Sequence, residues 1–469
     1  SPNDPGTGSR GDPFRRLQDA INAVQDINTE VWVVAGTYKP TTGSDRTISF
    51  TMKPNVSVYG GFTGIETQRQ QRNWIAHPTI LSGDIGIADN NLDNSFNVVV
   101  GGNNSILDGF TITGGKANDE SASLRLYGGG IYYQAEDMTL ANCQITGNSA
   151  TNVGGGIYIA GVNLRIINCT FSENTSGDGG AIYNSSANPA IVNCSFVRNS
   201  ADNGGGGIYN YCGTPAIVNC LFTQNSAGNG GGIYDLVDNP AITNCVFTQN
   251  AAGSGGGMYE FYGNPTISNC TFSGNISANG AVLACDSPDQ SYPSAVTMAN
   301  CIIWNGPGGL WNNDGSTISV SYSDINGGWT GTGNINTDPL FMGTDDFRLQ
   351  AYSPCVDAGN NNSVPADITD IDGDGNTAEL ISFDIADNPR IADGNGDGVA
   401  VADMGAYERC GLKADFTNDC KVDFEDFAKL AFYWLQNEPS VDIAPLGSGD
   451  DIVDVGDLAV LAEHWLQEF

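Results

Sequence analysis

The chain has 469 residues, with 18 Lys or Arg against 53 Asp or Glu, so its formal net charge is −35. A chain this acidic repels nucleic acid and anionic membrane surfaces and attracts metal cations. No apolar run approaches the ~18–20 residues of a membrane span, so we expect neither a nucleic-acid partner nor a membrane span. Because the sequence starts at Ser1 rather than Met, we expect a secreted protein, extracellular or on the cell surface, that has lost a signal peptide.

The first predicted element is a short amphipathic helix within the N-terminal segment, residues 1–30. In the stretch DPFRRLQDAINAV, the residues Phe14, Leu17, Ile21 and Val24 share one helical face. A strand follows at once in EVWVVAGTY. We expect the helix to cover the first coil of the domain that follows, because an open coil presents an unpaired strand edge.

A motif then recurs along the middle of the chain. Its Asn-Cys pairs place Cys143, Cys169, Cys194, Cys220, Cys245 and Cys270 at spacings of 26, 25, 26, 25 and 25. Apolar residues alternate in short bursts between Gly and Asn, which indicates strands and bends rather than helices. Three short strands in ~25 residues make one coil of a parallel β-helix, and parallel crossovers are usually right-handed. The predicted fold is therefore all-β, a right-handed parallel β-helix over residues 31–355, with a capping helix and a small α-helical calcium-loop module at its two ends.

Stacked coils place like residues above like residues. The two Asn columns are expected at corners, since Asn tolerates positive φ and can hydrogen-bond along the stack. The Gly pairs are expected where the chain needs positive φ or a close approach. The Cys and Phe columns are expected to point inward, with the cysteines acting as small buried hydrophobes rather than as disulfides or metal ligands.

Residues 356–409 form a closing region that is dense in Asp and Gly. Two short acidic runs in it have calcium-loop character, because alternate Asp and Asn side chains offer the hard oxygen ligands that calcium prefers. The candidate ligands are Asp370, Asp372 and Asp374 in the first run and Asp393, Asn395 and Asp397 in the second.

Residues 410–469 contain two copies of an acidic loop followed by an apolar helical pattern. In DFTNDCKVDFED, the spacing of calcium-loop positions 1, 3, 5, 7, 9 and 12 selects Asp415, Thr417, Asp419, the Lys421 carbonyl, Asp423 and Asp426. The second copy offers Asp450, Asp454 and Asp457, with Asp442 as the first ligand if the loop bulges. We therefore expect calcium as the cofactor, and a disulfide between Cys410 and Cys420 beside the first loop.

These duplicated loops resemble a type I dockerin over about the last 60 residues of the chain. Cys420 replaces the usual Gly at position 6, and the second loop carries an insertion. The resemblance implies a calcium-stabilised docking module whose partner is a scaffold or cohesin-like protein, with a second copy of this chain as the alternative. The motifs GGAI and FSEN, residues 179–182 and 171–174, resemble the repeats of chlamydial polymorphic outer-membrane proteins, which implies a secreted adhesion protein.

Enzymes of pectin degradation use parallel β-helices, but that is an analogy of fold alone. A lyase on an acidic sugar needs a basic residue, and residues 140–300 contain only Arg165 and Arg198 and neither Lys nor His. A glycosidase needs two carboxylates, and Asp235, Glu260 and the nearby Asp238 are the weak candidates. We expect these carboxylates to belong instead to a polar column that faces outward.

The leading hypothesis is a non-catalytic extracellular or cell-surface β-helix protein with a structural, adhesive or self-assembling role. It docks through its C-terminal module and has polysaccharide as a further candidate partner. The alternative is a secreted polysaccharide-degrading hydrolase or lyase that carries the same tail.

Overall fold

The computed structural model describes residues 6–26, 29–306, 308–412, 414–417, 419–437, 441, 443–444 and 452–465. The chain forms two compact units. The first comprises residues 1–267, 272–297 and 305–319, and the second comprises residues 268–271, 298–304 and 320–469.

The first unit is a stack of coils whose strands build four parallel sheets. The first sheet contains the strands Glu30–Val34, Ser57–Phe62, Ile106–Asp108, Thr139–Ala141, Arg165–Ile167, Ala190–Val192, Ala216–Val218 and Ala241–Thr243, and the parts of Thr266–Ser268, Ala295–Ala299 and Thr317–Ser321 that belong to this unit. The second sheet contains Phe50–Thr51, Val99–Val100, Ile131–Tyr133, Ile157–Ile159, Ile182–Ser185, Ile208–Tyr211, Ile233–Leu236, Met258–Phe261, Leu283–Asp286 and Leu310–Asn312.

The other two sheets complete each coil. The third sheet contains, within this unit, Gly36–Tyr38, Thr79–Ser82, Phe110–Thr113, Gln144–Thr146, Thr170–Ser172, Ser195–Val197, Leu221–Thr223, Val246–Thr248 and the end of Thr271–Ser273. The fourth sheet contains Lys116–Ala117, Ser149–Ala150, Thr175–Asp178, Ser200–Gly204, Ser226–Asn229 and Ala251–Ser254. The prediction of an all-β parallel β-helix is confirmed.

Neighbouring coils are aligned residue by residue, so each strand places equivalent side chains above one another. Tyr183 pairs with Tyr209, and Asn184 pairs with Asn210. The inward Phe column is fully buried, and its rings stack with centroids 4.6–5.0 Å apart. This column is Phe171, Phe196, Phe222, Phe247 and Phe272.

The two Asn columns have different roles. Asn168 and the other asparagines of the Asn-Cys pairs adopt positive φ, near 54°, and so make the corner between the first and third sheets. The second column is a buried ladder in which Asn174 Nδ2 donates to Asn199 Oδ1 at 3.0 Å. This ladder lies at the corner between the third and fourth sheets, where the residue with positive φ is the one before the Asn, such as Glu173 at 57°. At the Gly pair, a Cβ on Gly180 would lie 2.4 Å from the Gly206 carbonyl oxygen, which requires glycine there.

Helix α1, Leu17–Ala23, lies at the start of the solenoid and buries Leu17 and Ile21. It is shorter than the predicted amphipathic stretch. The Gln18 side chain donates to the Thr51 carbonyl at 3.0 Å and accepts from the Thr51 amide at 2.8 Å. Thr51 is in Phe50–Thr51, the first strand of the second sheet. The helix thus satisfies backbone groups of an edge strand, as the capping prediction requires.

The second unit contains the parallel strands Ile302–Trp304 and Asp324–Ile325 and the closing region. The closing region is built around Arg390, whose fully buried guanidinium forms an ion pair with Glu408 at 2.7 Å. Arg390 also donates to the carbonyl oxygens of Gly405 and Asp403. The stretch DMGAYE, residues 403–408, is therefore a core element of this region.

The C-terminal module contains helices α2, Phe424–Phe432, and α3, Val455–Glu463. Its core includes Phe416, Val422, Leu430, Val453 and Leu461. Within the residues that are described, no helix is long and apolar enough to cross a bilayer.

Candidate functional site

A groove of about 400 Å³ runs along the corner between the second and fourth sheets. One wall comes from outward side chains of the second sheet, because alternate residues of a strand face opposite sides. The other wall comes from the fourth sheet and the turns beside it. The residues that line it are Tyr127, Thr151, Asn152, Val153, Tyr158, Gly177, Asp178, Tyr183, Ser185, Asn203 and Tyr211.

A column of stacked tyrosines forms the second-sheet wall and continues beyond the groove. Consecutive ring centroids lie 4.6–6.0 Å apart, and the rings are inclined by at most 23°. Stacked rings cover one another's faces, so the column presents ring edges and phenolic hydroxyls outward. We call it the tyrosine ladder; its members are Tyr132, Tyr158, Tyr183, Tyr209, Tyr234 and Tyr259.

Burial raises the pKa of several ladder hydroxyls and makes them poorer acids. It raises the pKa of Tyr234 to about 12 and raises the pKa of Tyr183 and of Tyr209 further still. These hydroxyls therefore stay protonated at neutral pH. Of these three, Tyr183 lines the groove and offers it an uncharged donor and acceptor.

Asp178 is the carboxylate in the wall that faces the ladder. Its Oδ1 accepts a hydrogen bond from the Gly204 amide at 3.1 Å. Burial raises the pKa of Asp178, and the neighbouring Asp202 adds to that rise. The residues that line the groove include neither Lys nor Arg, so it suits an uncharged polar ligand better than an anionic one.

A partial signal for this groove is present in the sequence. Its tyrosines recur with the repeat period, but the period alone does not tell whether a tyrosine packs in the structure or binds a ligand. Among the aromatic residues that follow ladder positions in the sequence, Tyr211 lines the groove and is 40% exposed. Tyr262 instead packs edge-on against Tyr292, at 5.3 Å. Asp178 is part of no sequence motif. It lies opposite the ladder only because the chain turns from the fourth sheet to the second sheet directly after it.

The weak catalytic candidates lie elsewhere, inside the solenoid. Asp235, Asp238 and Glu260 are all 0% exposed. The prediction of an outward polar column was wrong, because Asp235 lies two residues after the buried Ile233 and so points to the same inner side of its strand. A polysaccharide outside the solenoid has no contact with these carboxyls.

The buried carboxyls have few partners. Asp235 Oδ1 accepts from Asn210 Nδ2 at 2.6 Å, and Asp238 Oδ1 accepts from the Gly213 and Asn239 amides at 2.9 and 2.8 Å. Both oxygens of Glu260, and Oδ2 of each Asp, have no hydrogen-bond partner in the described structure. Burial raises the pKa of Asp235 and of Glu260 well above the ordinary range, with neighbouring carboxyls adding to it, and burial raises the pKa of Asp238 to about 7.

The first calcium-like loop brings three of its predicted ligands together. Carboxylate oxygens of Asp415, Asp419 and Asp426 lie within 4.8 Å of one another. Since calcium binds oxygens at 2.3–2.6 Å, this spacing fits one ion. Asp423 caps helix α2 by accepting from the Glu425 amide at 2.8 Å, and the Lys421 amide donates to Asp419 Oδ1 at 3.2 Å.

Thr417, another predicted ligand, forms hydrogen bonds within the loop. Its hydroxyl hydrogen-bonds Asp415 at 3.4 Å, and its amide donates to Asp426 Oδ1 at 2.9 Å. The disulfide Cys410–Cys420 is present, with Cα atoms 5.2 Å apart. It ties the first residue of the module to this loop.

The second loop repeats the local structure of the first. Asp457 accepts from the amides of Ile443, Ala444 and Asp454, as Asp426 accepts from Phe416, Thr417 and Asp423. This match places Ala444 at the position of Thr417, so the second loop lacks that hydroxyl ligand. Asp442 and Asp450 lie outside the described residues.

The two runs in the closing region differ. Asp370, Asp372 and Asp374 bring carboxylate oxygens within 4.8 Å of one another, and Asp372 does the same with Asp367 and Glu379, which the sequence reading did not select. In the other run, the Asp393 carboxylate accepts from the backbone amides of Gly396, Asp397 and Gly398. Asn395 Oδ1 accepts from the Asp397 amide at 2.9 Å.

Comparison with known proteins identifies the solenoid. A family model described as a right-handed β-helix region matches residues 42–222 and 201–339. No curated protein sequence matches the chain significantly. The crystal structure of pectate lyase Pel9A is similar, with a TM-score of 0.50 and 16% sequence identity, over 87% of this chain and 94% of that chain. At this identity the similarity shows the fold alone.

Proposed function

The chain belongs to the right-handed β-helix family, and from that premise we propose that it is a secreted, non-catalytic polysaccharide-binding protein with a structural or adhesive role. The observation that carries the proposal is the groove beside the tyrosine ladder. Polysaccharide lies in this groove, and the C-terminal module attaches the solenoid to a partner protein.

The chemistry of the groove favours a neutral polysaccharide. Tyr158, Tyr183 and Tyr211 bring aromatic edges and hydroxyls to one wall, while Asn152 and Asn203 bring amides to the other. The exposed ring edges give apolar contact to a sugar, and the amides and phenolic hydroxyls bond its hydroxyls. A polyuronate is disfavoured because Asp178 lies in the groove and the chain carries a net charge of −35.

Affinity electrophoresis on neutral and acidic polysaccharides tests this proposal. We expect retardation by at least one neutral polysaccharide and a loss of roughly tenfold or more in affinity for Tyr183→Ala or Tyr211→Ala, since each change removes a ring edge and a hydroxyl from the wall of the groove. Tyr352→Ala is the matched control, because Tyr352 is 91% exposed and belongs to the second unit. Equal loss in the control, or retardation only by polyuronates, contradicts the proposal.

The C-terminal module is proposed to dock after calcium binds its loops. Several large apolar side chains of α2 and α3 face solvent, among them Phe424 at 74%, Phe432 at 72% and Val455 at 69% exposure. Apolar side chains of this size lose contact with water in an interface, which favours docking. The partner is a scaffold or cohesin-like protein, with a second copy of this chain as the competing occupant.

The second candidate function is polysaccharide degradation, and Asp178 is the observation that favours it. A carboxyl with a raised pKa in a groove is suited to act as a general acid, and the solenoid shares its fold with a pectate lyase. Measurement of sugar release on the same panel separates the two functions. Release by the wild type that Asp178→Asn lowers by ~10³-fold or more establishes an enzyme.

A further inference from the structure

A second groove, of about 480 Å³, lies on the outer face of the first sheet. Its floor comes from three neighbouring strands of that sheet, through Tyr59, Asp108 and Thr139. Its wall comes from the loop of residues 63–78, which carries Arg69, Gln70, Arg72 and Trp74. This groove is on a different sheet from the tyrosine ladder.

The loop is held rigidly against the sheet. Glycines make room for it, since a Cβ on Gly61 would lie 2.6 Å from the Trp74 Cα, and a Cβ on Gly109 would lie 2.7 Å from Arg72 Nη1. Arg72 forms an ion pair with Asp108 at 2.7 Å and donates to the Gly60 carbonyl at 3.1 Å. Its side chain is only 7% exposed, so this guanidinium is a fixed part of the wall.

The guanidinium groups also lie over aromatic rings. The Arg72 Cζ is 4.7 Å from the Trp74 ring centroid, and the Arg69 Cζ is 4.7 Å from the Tyr59 ring centroid. Arg69 donates to Glu30 Oε1 at 2.6 Å and to the Tyr59 hydroxyl at 3.0 Å. The result is a preorganised set of flat aromatic and guanidinium surfaces with fixed donors and acceptors beside them.

The charge of this part of the chain differs from that of the rest. Residues 1–72 contain eight Lys or Arg and seven Asp or Glu, which leaves 10 basic and 46 acidic residues in the remainder. In the groove itself, the two arginines face Glu30 and Asp108, so the charges cancel. Flat surfaces with neutral overall charge and directed hydrogen-bonding groups suit the C–H faces and hydroxyls of a sugar.

We propose that the groove formed by Arg69, Gln70, Trp74 and Asp108 is a second binding site for neutral polysaccharide. The proposal rests on the proposed function and deepens it, because it makes the solenoid bivalent. Two polysaccharide chains, one on each sheet, are then bridged by one protein molecule. Two sites on one molecule raise avidity for a network of polysaccharide without any new contact.

The test uses the full-length protein with neutral hexasaccharides of glucose, xylose, mannose and galactose as probes, measured by calorimetry. We expect two sites per chain in the wild type and one site in the double variant Arg69→Gln, Gln70→Ala, with at least a tenfold loss of affinity at the site removed. Tyr183→Ala should remove the other site instead. Arg198→Gln is the matched control, because Arg198 is exposed and forms its ion pair with Glu173 far along the chain.

Bridging gives a second readout. A long-chain form of the polysaccharide that binds should form light-scattering networks with the wild type, and either groove variant should abolish them while leaving binding at the remaining site. A single site in the wild type, removed by Tyr183→Ala and untouched by the Arg69 and Gln70 changes, overturns the second site and leaves the proposed function standing. Absence of any binding by the wild type overturns both.

Discussion

Asp235 and Glu260 are paired neighbours on adjacent strands of the second sheet, and both are buried completely inside the solenoid. Parallel strands lie ~4.8 Å apart, so two carboxyls share a small volume, and within the described residues neither forms an ion pair with a basic side chain. Two ionised carboxylates in such a place repel each other and are poorly solvated. Burial therefore favours their neutral, protonated forms, and they belong to the interior of the solenoid rather than to a surface site.

We predict that Asp235→Asn and Glu260→Gln leave polysaccharide binding unchanged, because neither side chain reaches the surface. Each amide has the shape of the carboxyl without its charge, so at pH 8 we expect Tm to rise by at least about 2 °C. Calorimetric melting together with the binding assay checks both parts. A loss of sugar release by ~10³-fold or more in either variant would establish a catalytic role.

The same cluster predicts how stability depends on pH. Burial raises the pKa of Asp238 to about 7, so between about pH 4 and pH 7 the folded chain binds a proton that the unfolded chain has released. The contribution of this group to stability is therefore complete below about pH 4 and is lost as pH rises to about 7. We expect the free energy of unfolding of Asp238→Asn to equal that of the wild type near pH 4. It should then exceed the wild-type value by a growing margin up to about pH 7, as measured by urea unfolding at each pH. The prediction is contradicted if the variant loses stability relative to the wild type as pH rises from about 4 to 7.

Calcium is predicted to hold the C-terminal module together. Asp415, Asp419 and Asp426 converge within 4.8 Å, and without a cation their charges repel. We expect a chelator to unfold residues 410–469 while the solenoid survives, since its Phe, Ile and Cys core needs no metal. Two calorimetric transitions, of which only one responds to chelator, are the expected observation. Asp426→Asn should mimic the chelator, and a melting profile unchanged by both contradicts the prediction.

The buried Asn ladder is predicted to contribute strongly to stability. Asn199 Nδ2 donates to the Phe171 carbonyl and to Asn225 Oδ1, and its Oδ1 accepts from the backbone and side chain of Asn174. Asn199→Ala leaves these buried groups without partners, so the free energy of unfolding should fall by at least about 3 kcal/mol. Gln224→Ala, in an exposed pair with Gln249, should cost less than about 1 kcal/mol. Urea unfolding measures both, and equal costs refute the role of the ladder.

Self-assembly is predicted to depend on calcium and on the exposed apolar side chains of the module. Head-to-tail contacts through one end of a chain produce filaments unless their rotation closes a ring. Light scattering and electron microscopy with and without calcium check this, with Phe424→Ser as the variant expected to abolish assembly. A strict monomer at high concentration with calcium leaves docking to a different scaffold protein as the function of the module.

The repeat in the sequence was enough to determine the solenoid. A period of 25 or 26 residues, with Cys and Phe always at the same phase, admits only stacked coils, because like residues must lie above like. The same regularity predicted the buried Phe column. Spacing also selected Asp415, Asp419 and Asp426, since a loop of fixed length returns its acidic side chains to one point.

Tertiary structure decided what the pattern left open. The Tyr residues of the repeat and Asp178 share a groove only because the corner between the second and fourth sheets brings them face to face. Strand alternation from the buried Ile233 points Asp235 inward, and only the polar character of Asp235 favoured the outward prediction that was wrong. The groove around Arg69 and Trp74 arises where a loop folds back over three coils, a contact between distant residues that no local pattern encodes.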